Sequence, residues 1–178
     1  MALDPAQIRF RLTNGSNPVP PNIDPNQSLG GTATGSSLSD IVSGDFDRLF
    51  DSVSPSEKDS GTAIVEYRAL DIVNLDTVES GYLSTFGLVS VTGDSAAGML
   101  YAVAKDTAAG MDTLIANERA TPNASFVDFG TTGNTSVSIG TLGPSGRVRI
   151  WIRRTKVAGS ISPDAQHTAN FQYAFAVA

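Results

Sequence analysis

The chain holds one histidine, His167, in the run Pro163-Asp164-Ala165-Gln166-His167-Thr168. A zinc site draws on several His, Cys or carboxylate ligands, and a serine or cysteine nucleophile needs a base beside it. There is no cysteine, so thiolate metal sites, disulfides and a Cys–His dyad are excluded together. A serine triad would have to recruit the same His167, and no Gly-x-Ser-x-Gly elbow stands between a strand and a helix to carry its nucleophile. Asp45, Asp47 and Asp51 cluster beside a helical signal, whereas a glycosidase pair faces across a cleft from two elements. Asp71 to Glu79 lacks the alternating ligand positions of a calcium loop. Gly140, Gly143 and Gly146 lead into a strand and lack the Lys-Ser/Thr of a phosphate cradle. The sequence therefore leads us to expect no catalytic site, no metal and no cofactor.

Recognition is the chemistry that remains. In Arg147-Val148-Arg149-Ile150-Trp151-Ile152-Arg153-Arg154, strand alternation sends Val148, Ile150 and Ile152 inward and Arg147, Arg149, Trp151 and Arg153 outward. Arg and Trp are enriched at interface hot spots, and the guanidinium fork pairs bidentately with carboxylates. On a chain of net charge -6, such a row matches the acidic surface of a partner or of a second copy. It is expected to be exposed and to lie at a subunit contact. The simpler alternative is a solvated strand face whose Trp151 is covered by the N-terminal arm.

That arm is the next feature. Gln7 to Leu12 alternates with period two and reads as a strand with Ile8, Phe10 and Leu12 on one face. From Thr13 to Gly44 the periodicity disappears into Asn, Gly, Ser, Pro and Thr, including Pro18-Val19-Pro20-Pro21 and Gly30-Gly31. Proline removes donors and fixes an extended backbone, so neither a central strand nor a helix fits there. The segment reads as an arm, mobile in the free subunit and ordered on docking, with Pro18, Pro20, Pro21 and Leu29 as its contact residues. Phe46, Leu49, Phe50 and Val53 have helical spacing. Ser54-Pro55-Ser56-Glu57 carries an N-cap serine, a proline at the first helical position and a glutamate three residues on, which predicts a helical turn over 54–59. Ala108 to Ile115 is a weaker helical pattern.

The body begins at Thr62. β-branched and aromatic runs at 62–74, 82–91, 98–104, 126–129, 136–139, 147–153 and 171–177 read as strands separated by turn residues, with a hairpin expected about Thr92-Gly93-Asp94-Ser95. The expected fold is all-β: a single sandwich, jelly-roll or immunoglobulin-like, over 62–178, with the 7–12 strand added to it. Residues 1–61 supply that strand, the extended arm and the short helical segment. At 178 residues the chain can bury one sizeable core without cross-links.

The acidic balance argues against nucleic acid and anionic membranes as partners. No basic and apolar leader and no run of about 18 apolar residues is seen. Charged residues make up 17% and glycines number 17, which suits a chain largely covered by neighbours.

Four stretches, in order, resemble a group of tailed-bacteriophage virion structural proteins: Pro25 to Gly31, Phe46 to Ser54, Val65 to Asn74 and Gly146 to Arg154. The resemblance covers most of the chain and implies a scaffold role in the virion. It points first to a capsid decoration (cement) protein that binds neighbouring capsid subunits, then to a neck or tail component. Its expected partners are other virion proteins, the major capsid protein first, and copies of itself, assembled in the cytoplasm of the host bacterium. A host-glycan-binding sandwich with Trp151 as its platform is the competing reading.

Overall fold

The computed structural model describes residues 2–15, 22–33, 36–41, 48–58, 61–93, 98–106, 113–129, 135–159 and 168–177. His167, Pro18, Pro20, Pro21, Asp45, Asp47 and most of the weak helical pattern at 108–115 lie outside them.

Among the described residues eight strands form: β1 (Ile8–Leu12), β2 (Ile64–Asn74), β3 (Gly81–Thr92), β4 (Met99–Lys105), β5 (Val127–Phe129), β6 (Thr135–Leu142), β7 (Arg147–Lys156) and β8 (Thr168–Ala176). They make two antiparallel sheets, a larger one in the order β1-β2-β7-β4-β5 and a smaller one in the order β6-β3-β8. The chain is an all-β sandwich. Alternation explains the packing: Leu70 and Ile72 of β2, Val103 of β4 and Ile150 and Ile152 of β7 face Phe86 and Leu88 of β3 across the core. Burial at this interface is the main stabilising term.

β3 and β4 belong to different sheets, so the turn cluster after Thr92 is a sheet-crossing connection and not a hairpin. Turn residues announce a reversal, but not the sheet to which the chain returns.

Prolines start the short turns. Pro5–Gln7 and Pro25–Gln27 are 3-10 turns capped by Asp4 and Asp24, whose carboxylates accept from the backbone N–H groups of Ala6 (2.8 Å) and Asn26 (3.1 Å). The helical turn α1 spans Pro55–Lys58. Its predicted capping box is formed, with the Ser54 N–H donating to Glu57 Oε2 at 2.9 Å and the Glu57 N–H donating to Ser54 Oγ at 3.3 Å. Of the one or two helical turns expected over 46–53, the described part holds only Arg48 in a 3-10 turn. Residues 49–54 are irregular, yet Leu49, Phe50 and Val53 still pack on the core; the apolar spacing reflects a segment laid across the sandwich end.

Candidate functional site

β1 covers β2 only from Leu70 to Asn74. Beyond it the edge of β2 needs other acceptors, and the arm and a later loop supply them. Ala69 N–H donates to Ser28 O and Tyr67 N–H to Glu118 O, each at 2.7 Å. These two segments lie over the outer face of the large sheet and enclose a second apolar cluster of Leu29, Tyr67, Ala69, Ala104, Ile115 and Trp151.

The Arg/Trp row is thereby corrected. Arg149 and Trp151 are both 0% exposed, although they occupy the outward face that alternation assigns them. Arg149 donates to Asp71 Oδ1 (2.8 Å) and Oδ2 (3.1 Å), and its third donor reaches Gly31 O at 2.6 Å. Its carboxylate is therefore within the chain. Burial pushes the Asp71 carboxyl above its ordinary range, against the opposing pull of Arg149. Trp151 Nε1 donates to Asp106 Oδ2 at 3.3 Å. Arg153 is partly buried, paired with Asp128 and held over the Phe126 ring; Arg147 is exposed. Leu29 is buried in the cluster beside Trp151. The described part of the arm thus docks on its own sheet: Thr13 and Ser28 are fully buried, and the buried Asn22 side-chain amide donates to Thr13 O.

The opposite side of the sandwich has a different character. β3, β6 and β8 contain no Asp, Glu, Lys or Arg at all. Their outer face is built from Ser136 and Ser138 of β6, Thr85, Gly87 and Val89 of β3, and Gln172 of β8, in neighbouring register. Gly87, with Ala174 beside Thr85, leaves a shallow depression of about 270 Å³ there. Where β3 passes Tyr82 to Thr85 while β8 passes only Ala176 to Ala174, one extra residue bulges from β3. Leu83 lies in that bulge with φ 49° and is 80% exposed. A left-handed backbone at a leucine costs about 1–2 kcal/mol, and the bulge turns this side chain to solvent with Tyr82, 41% exposed.

The small sheet also stops short of the large one. Between its edge strand β8 and β1 runs a groove of about 580 Å³, lined by Ile8, Phe10, Phe86, Phe171, Tyr173 and Phe175 among others. Burial raises the Tyr173 hydroxyl pKa, opposed by its hydrogen bond to Ser84. The arginine row of β7 belongs to the large sheet, not to this one. The signal that marks this one is an absence of charge shared by three strands far apart in sequence.

Among the described residues no group of three or more His, Cys, Asp and Glu is placed to hold a metal ion, and no helix is long and apolar enough to cross a membrane. No protein-family model, curated protein or solved structure matches the chain.

Proposed function

We propose that the chain is a structural virion protein of a tailed bacteriophage, a capsid decoration protein that stabilises the head by binding neighbouring capsid subunits through its small sheet. The observation that carries the docking part is the charge-free outer face of β3, β6 and β8 on a chain of net charge -6. A solvated sheet normally carries charge on its outer face and its edges. Covering this one desolvates hydroxyls and amides but no ion, so burial against a partner avoids the large penalty of an unpaired charge. Depletion of charged residues is also what distinguishes interface cores from other surface. The exposed, strained Leu83 adds an apolar knob at the end of the same sheet. The virion setting comes from the sequence resemblance, which also gives the major capsid protein as first partner and a neck or tail position as the alternative role.

A glycan-binding reading loses its main support, because Trp151 lies beneath the arm and offers no ring to a sugar.

Immunogold labelling of particles of the phage that encodes the chain tests the proposal. Label on the head facets is the expected result, label at the neck or tail selects the alternative role, and absence from purified particles overturns both.

A further inference from the structure

The edge of the small sheet at β8 carries a more specific message than the face. β8 runs nine residues, Thr168–Ala176, and pairs on one side only, with β3. Among the described residues nothing bonds to its other side. Both irregularities of the β3/β8 ladder place the extra residue in β3, so β8 itself is an unbroken strand. It has no charge, no proline and no bulge, the devices by which free edges are ordinarily protected. Its side chains alternate strictly: Ala169, Phe171, Tyr173 and Phe175 are half-buried toward the groove, and Thr168, Asn170, Gln172, Ala174 and Ala176 are exposed.

A strand laid beside β8 would satisfy that edge and roof the groove against Ile8 and Phe10. The groove lining fixes what such a strand must be. Among the described residues it contains no charged residue, so the incoming strand needs apolar groups at every second position and neutral groups between them. β8 meets this description itself.

We infer that β8 pairs antiparallel with β8 of a second copy about a two-fold axis, joining two small sheets into one six-stranded sheet. Directly opposed residues of an antiparallel pair point to the same face. Inward residues therefore meet inward residues, and the aromatic row meets its own copy; cross-strand aromatic pairs of this kind are favourable. The edge is about 30 Å long at roughly 3.3 Å per residue, and backbone pairing alone falls short of the roughly 800 Å² per partner of a standard interface. Closure of the groove supplies further apolar area. The inference concerns copies of this chain and stands apart from the virion assignment, since it is read in purified protein and not on particles.

Sedimentation velocity over a concentration series is the first measurement, and a reversible monomer–dimer equilibrium is expected. Gln172→Lys with Ala174→Lys places like charges across the paired strands while both side chains stay in solvent in a single copy. This variant is expected to weaken the dimer at least tenfold, with an unchanged melting temperature at concentrations where the parent is monomeric. Because the chain lacks cysteine, single cysteines at 170, 172, 174 and 176 can be oxidised in pairwise mixtures. Antiparallel pairing links those combinations whose numbers add to one constant value. A monomer at all concentrations, a dimer indifferent to the two lysines, or cross-links without that sum rule would each overturn the inference.

Discussion

Gly30 lies against the indole of Trp151: a Cβ added to it would stand 2.9 Å from Trp151 Cη2 and 1.9 Å from the carbonyl oxygen of Thr113. Its φ of +85° also belongs to the region that favours glycine. Gly30→Ala is therefore expected to unseat the arm at its bridge to Leu114. We expect a loss of about 1–3 kcal/mol in urea unfolding, the range of overpacking, and faster protease cleavage within residues 13–33.

The Arg149–Asp71 pair offers a sharper contrast. Asp71→Ala leaves a buried guanidinium without its carboxylate and should cost about 3–5 kcal/mol. Asp71→Leu with Arg149→Met removes both charges and should recover most of that loss by calorimetry. Gly31 O still loses its donor in the double variant, so cleavage in the arm should remain faster than in the parent.

Trp151→Ala should act as a core lesion of about 3–5 kcal/mol, and combining it with Arg149→Ala should give a protein that does not fold stably. A folded, monomeric double variant with the parent's melting temperature would show that these side chains are not the packed centre of the second cluster.

The capping box gives a pH dependence. The Glu57 carboxyl is held below its ordinary value, first by the Ser54 backbone N–H and then by the Ser54 hydroxyl, with Arg119 adding to them. The folded state thus releases this proton at lower pH than the unfolded chain does, and the stabilisation is fully present above the ordinary value of 4.5. It fades as pH falls through the lowered folded value. Glu57→Gln should be less stable than the parent at neutral pH, with the gap closing in acid; a gap constant with pH would contradict the assignment.

Leu83→Gly separates stability from docking. Glycine accepts φ 49° without strain, and the leucine side chain is 80% exposed, so the melting temperature should stay level or rise. Binding to particles should weaken. Equal binding by the variant would remove Leu83 from the docking face.

All eight strands were legible in the sequence, because period-two alternation and turn residues are local signals. The faces of β7 were also assigned correctly. What alternation could not show is that the outward face of β7 is roofed by segments without any periodicity of their own. Ser28 to Gly31 and Thr113 to Glu118 bind through backbone groups and glycine close approach, features with no spacing to detect. Helical spacing at 46–53 misled for a related reason: Leu49, Phe50 and Val53 reach the core from an irregular segment, where long-range packing and not a local period sets their positions. The bulge at Leu83 carries no turn residue that would announce it.

β7 is the middle strand of the large sheet although it is seventh in the chain, and the bond from Arg149 to Gly31 spans 118 positions. Such non-local pairing places folding in the slow, millisecond-to-second range typical of sandwiches. During synthesis β1, β2, β4 and β5 must all wait for β7 to leave the ribosome before the sheet can close. The edges left waiting are those of β2 and β4, which carry Glu66, Arg68, Asp71 and Lys105, and charges of this kind discourage pairing with other nascent chains. The neutral β8 is synthesised after every one of them, so its unprotected edge is absent while the large sheet assembles.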